Sequence, residues 1–237
     1  MTTDNIDALV FDVFGTVVDW RGSITREGRE LGQRKNIKFN WARMANAWRA
    51  GYAPAMDRVR SGELPWMNID ALHRLILDEL LLKFRIEGLT DEDKDHFNRA
   101  WHRLKPWPDS VRGLKRLKKK FVIATLSNGN MSLLTNMAKN AGLPWDCVIS
   151  AELFNHYKPD PETYQGAAKM LDFPADRVML VAAHKGDLRA AQQSGLRAAF
   201  VARPKEMPPN AKVDLSPDSA FDYNTTSLID LADQLGA

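Results

Sequence analysis

The residue best placed for chemistry in this sequence is Asp12, which follows the apolar run Ala8–Phe11 and precedes Gly15. The run predicts a buried strand, and ligands of open α/β sheets bind at the carboxyl ends of the strands. A carboxylate at such an end, followed by a turn glycine, can act as a nucleophile and form a covalent intermediate. We therefore expect Asp12 to be the reactive group.

The residue two positions later, Phe14, indicates which leaving group suits this nucleophile. An aspartyl phosphatase needs a second Asp there, as general acid for the leaving oxygen. A phenyl ring neither donates nor accepts a proton, so a leaving group that needs no protonation, such as halide, fits better. A Mg²⁺-dependent phosphatase or phosphonatase stays an alternative, because one fold hosts many activities. A non-catalytic binding or scaffold protein is a second alternative.

Other polar residues follow predicted strands elsewhere in the chain. Ser127 and Asn128 come after one apolar run, Lys158 lies in a Lys-Pro-Asp loop, and Asp187 follows another run. Each motif alone is typical of an ordinary turn or helix cap. Polar groups that converge on one sheet edge from distant positions are the better sign of a site.

The elements that must position these residues are predicted from hydrophobic patterning. Five short apolar runs read as buried strands, at residues 8–11, 121–126, 147–150, 178–183 and 198–202. Helical patterns at 131–140, 161–171 and 187–194 separate the later runs, with Gly142 and Gly195 as terminators. This alternation predicts an α/β fold with a parallel sheet and right-handed crossovers.

Residues 20–105 break this alternation with amphipathic helical patterns, several tryptophans and no convincing strand. We interpret them as a helical cap inserted into a core made of residues 1–19 and 106–237. An inserted segment of this kind can cover a ligand crevice. The alternative is a helical bulk that only completes the core.

The amino-acid composition indicates which kinds of partner and which cellular compartment to expect. The 237 residues carry a net charge of +3, which suits anionic ligands but is far from a nucleic-acid-binding balance. The single cysteine, Cys147, excludes an internal disulfide and favours a reducing compartment; we expect its thiol to be buried and inert. Residues 1–5 lack a signal-peptide pattern and no apolar stretch approaches a membrane span, so we predict a cytoplasmic protein without membrane contact.

Four ordered segments resemble the motifs of the haloacid dehalogenase superfamily: residues 12–16, 126–129, 157–164 and 183–187. Phe14 and the six-residue spacing from Lys158 to Tyr164 resemble its (S)-2-haloacid dehalogenase branch. The resemblance implies a Rossmann-like parallel sheet with an inserted helical cap. It implies metal-independent hydrolysis of small (S)-2-haloalkanoic acids to (R)-2-hydroxy acids and halide through an aspartyl ester.

The resemblance also implies roles for individual residues. Asp12 attacks the carbon that bears the halogen, Thr16 orients it, Lys158 favours its charged form, and Asp187 balances Lys158 and positions the hydrolytic water. The resemblance places Phe14, Ser127, Asn128 and Tyr164 in the substrate- and halide-binding part of the site. Ser127 and Asn128 resemble the residues that hold the substrate carboxylate and line the halide side. Tyr164 resembles the hydroxyl that fixes this network, and the alternative for it is a core aromatic residue with a satisfied hydroxyl.

The halide-binding arginine is expected from the cap, because the family places an arginine after a tryptophan in its second cap helix. Trp48-Arg49 matches that pattern, which makes Arg49 the candidate. Its charge would stabilise the departing halide in a partly dry pocket. Arg21, Arg43 and Arg58 compete with it.

The sequence departs from the family pattern at His184, which stands in place of an asparagine. This histidine could reshape the halide pocket, handle protons or be a hydrogen-bonded structural residue. The last motif offers only one acid, Asp187, and no histidines have zinc-ligand spacing, so we expect no metal and no cofactor. The expected partner is a small halogenated carboxylate. Family relatives form dimers, and the tryptophan-rich insertion could supply the surface for a homodimer.

Overall fold

The computed structural model describes residues 6–237, so the prediction about a signal peptide at residues 1–5 lies outside the described residues. Two compact units are present. We name residues 6–19 with Lys105–Ala237 the sheet unit, and Trp20–Leu104 the helical unit.

The strands and helices have the following bounds. The strands are β1 (Ala8–Phe11), β2 (Val18–Asp19), β3 (Lys105–Pro106), β4 (Val122–Thr125), β5 (Val178–Ala182), β6 (Arg197–Val201) and β7 (Tyr223–Thr225). The helices are α1 (Trp20–Lys35), α2 (Trp41–Arg60), α3 (Ile69–Lys83), α4 (Asp91–Asn98), α5 (Ser110–Leu117), α6 (Met131–Ala141), α7 (Pro161–Met170), α8 (Lys185–Gln193) and α9 (Leu228–Gln234).

The core of the sheet unit is a parallel sheet in the order β4-β1-β5-β6-β7. Strand β1 is central to the site because it pairs in register with both β4 and β5, so Phe11 lies beside Thr125 and Val181. Every residue of β1 is fully buried, as expected of a continuous apolar strand covered on both faces. The predicted α/β fold with a parallel sheet is confirmed.

The chain leaves and re-enters the sheet unit through a small antiparallel pair, β2 with β3. The following segment is attached to the turn after β1 by two side chains. Trp107 Nε1 donates to the Gly15 carbonyl at 2.8 Å, and Ser110 Oγ donates to the Val17 carbonyl at 2.7 Å. These bonds hold the turn that follows Asp12.

The prediction of a strand at residues 147–150 is wrong. Only two isolated bridges form there, Ala124 with Cys147 and Ser127 with Ser150. Between them, the Thr125 hydroxyl bonds both the N–H and the carbonyl of Ile149, at 2.9 Å each, and so replaces part of a strand ladder. The prediction of a buried thiol is also wrong, because Cys147 is exposed.

Two further elements differ from the predictions. The short polar strand β7 has no apolar pattern that would have revealed it. Helix α8 begins at Lys185 rather than at residue 187, so Asp187 lies in its first turn. The predicted end of α6 at Gly142 agrees with the structure. Gly142 caps this helix in the left-handed conformation with φ of 66°, which glycine adopts without strain.

The helical unit contains α1 to α4 and a short 3-10 helix, Arg99–Arg103. Its core is aromatic. The rings of Trp20 and Trp48 lie 6.4 Å and 5.6 Å from the ring of Trp101, and Trp48 also contacts Phe97. None of the helices within residues 6–237 combines the length and the apolar composition that a membrane crossing requires.

Candidate active site

Four neighbouring strands deliver polar side chains to one edge of the sheet. Asp12 directly follows β1, Ser127 comes two residues after β4, and His184 comes two residues after β5. Glu206 lies in the loop that follows β6. The chain thus places polar groups at consecutive carboxyl ends of a parallel sheet, where ligands of this architecture bind.

Asp12 is a buried carboxylate that accepts three hydrogen bonds. Its Oδ2 accepts from Thr16 Oγ1 at 2.7 Å and contacts His184 Nδ1 at 3.2 Å, while its Oδ1 accepts from Lys158 Nζ at 3.1 Å. Burial alone would raise the pKa of Asp12, but the charge of Lys158 and the bonds from His184 and Thr16 hold that pKa well below its usual range. Asp12 is therefore ionised at neutral pH, as a nucleophile must be.

Lys158 joins two carboxylates. Its Nζ donates to Asp12 and, at 2.5 Å, to Asp187 Oδ2, and the residue is only 8% exposed. Burial would lower the pKa of Lys158, but the two anions outweigh it and raise that pKa. The Lys158 backbone is fixed by Asn128, whose Oδ1 accepts from the Lys158 N–H at 2.6 Å and whose Nδ2 donates to its carbonyl at 3.3 Å.

Asp187 has donors on both oxygens. Lys158 occupies Oδ2, and the Tyr164 hydroxyl donates to Oδ1 at 2.5 Å. Tyr164 is fully buried on α7, and burial together with the Asp187 charge raises the pKa of its phenol. The structure thus joins Asp12, Lys158, Asp187 and Tyr164 in one continuous network.

Phe14 and Ser127 lie close to this network. The Ser127 hydroxyl accepts from the Gly129 N–H at 3.2 Å and is fully buried. The Phe14 ring packs against the same backbone, since a Cβ on Gly129 would lie 3.1 Å from Phe14 Cζ. An apolar ring therefore stands where a second acid would be needed for phosphate chemistry.

His184 links Asp12 to a second carboxylate, Glu206. The Nε2 atom of His184 lies 2.9 Å from Glu206 Oε1 and 3.1 Å from Oε2. Burial would lower the pKa of His184, but the hydrogen bonds and charges of Asp12 and Glu206 raise it to about 10. At neutral pH the ring is an imidazolium with a carboxylate on each nitrogen.

Sequence reasoning missed Glu206, which is 3% exposed. Its segment is attached by Arg203, whose Nε donates to the Thr16 carbonyl at 2.8 Å and whose guanidinium pairs with Asp109. Gly15 leaves room for it: a Cβ there would lie 2.1 Å from Glu206 Oε1. Its position could have revealed it, because Glu206 follows a predicted strand just as Asp12 does.

Arg49 lies on α2, in the helical unit. Its guanidinium carbon is 4.6 Å from the centre of the Tyr52 ring and 6.0 Å from that of Trp20. Its Nε is buried and has no hydrogen-bond partner within residues 6–237. The competing arginines are engaged: Arg21 with Asn46, Arg43 over the Phe84 ring, and Arg58 with Glu63 and Glu79. The halide-binding role of Arg49 stays a prediction.

Within residues 6–237, no group of three or more His, Cys, Asp or Glu side chains is arranged to hold a metal ion. The cation that contacts both Asp12 and Asp187 is the Lys158 ammonium group.

Comparison with known proteins shows the family of this chain. The family model of haloacid dehalogenase-like hydrolases matches residues 6–195. The (S)-2-haloacid dehalogenase 4A of Burkholderia cepacia is 27% identical over 213 residues, which cover 84% of each chain. A defluorinating L-2-haloacid dehalogenase of known crystal structure is 44% identical, with a TM-score of 0.95 over 98% of this chain and 96% of that one.

A second L-2-haloacid dehalogenase structure is also 44% identical, with a TM-score of 0.94 over 98% of this chain and 99% of that one. Fold, motifs and full-length similarity agree. The chain therefore belongs to the haloacid dehalogenase-like hydrolases, in the branch of the L-2-haloacid dehalogenases.

Proposed function

We propose that this protein hydrolyses small (S)-2-haloalkanoic acids to (R)-2-hydroxy acids and halide, without a metal ion, through an ester on Asp12. One observation carries the proposal: an ionised, buried Asp12 contacts Lys158 and has the apolar Phe14 two residues away. The relatives named as (S)-2- and L-2-haloacid dehalogenases support the same substrate class.

In the first step, Asp12 displaces the halide. Among the described residues, its Oδ2 contacts Thr16 and His184, whereas its Oδ1 contacts Lys158 alone. We assign the attack to Oδ1, which keeps a lone pair for the substrate carbon. The new C–O bond forms opposite the breaking carbon–halogen bond, so the configuration inverts. The halide leaves with the bonding electron pair and needs no proton, which suits the apolar Phe14.

In the second step, water attacks Cγ of the Asp12 ester and the bond from Cγ to the ester oxygen breaks. The hydroxy acid leaves, and Asp12 is regenerated as a carboxylate. The full cycle consumes one water and yields the hydroxy acid, one halide ion and one proton. Lys158 stays charged throughout, because Asp187 retains a negative charge beside it.

We assign residues to the two ends of the substrate, its carboxylate and its halogen, from the chemistry of their side chains. We propose that the segment around Ser127 faces the substrate carboxylate, and that Asn128 acts through the Lys158 backbone that it holds. The tightly bound network of Tyr164 with Asp187 then keeps Lys158 in place. We propose Arg49 for the halide, because it is charged, flanked by aromatic rings and has an unpartnered Nε.

The test is halide release from racemic 2-chloropropionate in the presence of a chelator, with 2-fluoropropionate alongside because one relative is defluorinating. We expect consumption of the (S)-enantiomer, formation of (R)-lactate, and no release by the Asp12→Asn variant. Phosphate release from an ester with Mg²⁺, without halide release, would instead favour the phosphatase. Neither product would favour a non-catalytic member of the family.

A further inference from the structure

The turn that follows Asp12 is held by side chains from outside it. Three consecutive carbonyls of the turn each accept a hydrogen bond from a side chain of another segment: Gly15 from Trp107, Thr16 from Arg203 and Val17 from Ser110. Of these three donors only Arg203 carries a charge, and its side chain is 7% exposed. Burying a guanidinium is costly, and the two neutral donors show that a carbonyl of this turn can be held without one. Arg203 therefore has a task beyond satisfying the Thr16 carbonyl.

Arg203 uses its whole guanidinium. Its Nε donates to the Thr16 carbonyl at 2.8 Å, while Nη1 and Nη2 donate to the two oxygens of Asp109 at 2.7 Å and 2.9 Å. Asp109 directly precedes α5, yet its carboxylate turns to α9, where Oδ2 accepts from the Leu228 N–H at 2.8 Å. Burial would raise the pKa of Asp109, but the hydrogen bonds and the charge of Arg203 lower it. A planar fork makes these three bonds at once, whereas the single nitrogen of a lysine cannot reproduce their geometry.

Thr16 transmits this fixed position to the nucleophile. The residue is fully buried, and its hydroxyl accepts from the Ala183 N–H at 2.9 Å and donates to Asp12 Oδ2 at 2.7 Å. A hydroxyl has one proton, so the bond that it accepts from Ala183 leaves that proton for Asp12. Arg203 fixes the carbonyl of the same residue, so the backbone and the hydroxyl of Thr16 are both held. A carboxylate otherwise turns readily about its last bond, and the bond to Oδ2 opposes this rotation.

We propose that Arg203, held by Asp109, is a positioning residue of the displacement step. Through the Thr16 carbonyl it keeps the Thr16 hydroxyl on Oδ2 of Asp12, so that Oδ1 is the oxygen that attacks. The inference rests on the function proposed above and adds to it a pair that acts through Thr16. In this step the bond from Oδ1 to the substrate carbon forms, the carbon–halogen bond breaks, and the halide keeps the electron pair. Arg203 and Thr16 give up no proton.

The experiment follows the first halide released from (S)-2-chloropropionate by rapid quench, with enzyme in excess over substrate and at several enzyme concentrations. The limiting rate reports the displacement, and the enzyme concentration that gives half of this rate reports substrate binding. The proteins are the wild type, Arg203→Lys, Thr16→Val and the double variant. Thr16→Val removes the hydroxyl and keeps the branched shape of the side chain.

Arg197→Lys is the matched control. Arg197 also pairs with an aspartate, Asp222, at 3.0 Å, and Asp222 also accepts a backbone N–H, that of Ala198 at 2.9 Å. Arg197 begins β6, so it lies at the amino edge of the sheet and not at the edge that carries Asp12. Its replacement should leave the limiting rate within about twofold of the wild type, as expected for a distant, independent site.

We expect Arg203→Lys to lower the limiting rate of the first halide release roughly 10-fold to 100-fold, with half-saturation within about twofold of the wild type. Thr16→Val should lower this rate by a similar factor. The double variant should be at most about threefold slower than Thr16→Val, because Arg203 acts through a hydroxyl that is already absent there. A merely structural role would lower the temperature of unfolding and leave the limiting rate of the folded variant unchanged.

Asp109→Asn decides the matter if Arg203→Lys does not fold. Its amide still offers an acceptor to the Leu228 N–H but places an NH2 group against the Arg203 guanidinium. We expect a smaller loss, roughly threefold to tenfold in the limiting rate, that is again absent in the Thr16→Val background. First halide release at the wild-type rate in folded Asp109→Asn would overturn the proposal.

The remaining outcomes separate this proposal from the function on which it rests. A folded Arg203→Lys variant with the wild-type limiting rate would overturn it, since charge alone would then suffice. Losses that multiply in the double variant would also overturn it, because the effect would then travel by another route. One such route is the segment of Glu206, whose N–H donates to the Arg203 carbonyl at 3.1 Å. A wild type that releases no halide would refute the proposed function itself.

Discussion

Replacing His184 with asparagine should change how the stability of the protein depends on pH. Burial alone would lower the pKa of His184, but Asp12 and Glu206 raise it from 6.5 to about 10. The folded chain therefore binds this proton more tightly than the unfolded chain. The resulting stabilisation is fully present below pH 6.5 and is lost as the pH rises towards about 10.

The size of the effect follows from the two pKa values. The interval from 6.5 to about 10 corresponds to about 5 kcal/mol as an upper limit, at about 1.4 kcal/mol for each pH unit. The His184 side chain is 29% exposed, and water screens part of the attraction to the two carboxylates. We therefore expect the free energy of unfolding to fall by about 2–4 kcal/mol from this group across the interval.

The assay is urea unfolding of the wild type and His184→Asn at several pH values from 6 to about 10.5, a range chosen to span the pKa of His184. The difference in the free energy of unfolding between the two proteins should be largest at the acid end and shrink by about 2–4 kcal/mol. The control His96→Asn, a change at an exposed histidine of the helical unit, should follow the wild type throughout. A difference that stays constant across this range would refute the charged pairing of His184 with Asp12 and Glu206.

Three further predictions concern the residues around Asp12. Lys158→Met leaves the buried Asp12 and the partly buried Asp187 without their shared cation, so it should abolish halide release and lower the free energy of unfolding at pH 7 by about 3–5 kcal/mol; equal stability of the two proteins in urea would contradict this. Tyr164→Phe removes the hydroxyl that donates to Asp187. It should lower the free energy of unfolding by about 1–3 kcal/mol and lower kcat roughly tenfold. Unchanged steady-state kinetics would show that this hydrogen bond does not support Lys158. Gly15→Ala adds a Cβ that would lie 2.1 Å from Glu206 Oε1, at a φ of 86°. It should destabilise the protein more than the matched Gly62→Ala, whose added Cβ meets nothing within 4 Å at a φ of 78°, and thermal unfolding of the two variants compares them directly.

Much of the sheet could be predicted because its signals are local. The fully buried strands β1 and β5 are continuous apolar runs, and Gly142 marks the end of α6 through its own backbone preference. Strand β7 could not be predicted, since its three residues, two half-buried and one buried, carry no periodic apolar pattern. At residues 147–150 the apolar pattern was present, but the Thr125 hydroxyl took the backbone bonds that a strand would have used.

The sequence by itself determined which residues could be reactive: Asp12 after a buried strand, Phe14 in place of a second acid, and the Lys158 and Asp187 motifs. These follow from residue type and from the rule that strand ends meet at one edge. Only the tertiary structure decided their pairing, because Lys158 lies 146 residues from Asp12 and His184 lies 172 residues from it. The contact between Glu206 and His184 could not be predicted either, because the loop that carries Glu206 has no periodic pattern. Only the approach of that loop to Gly15 places a second carboxylate on His184.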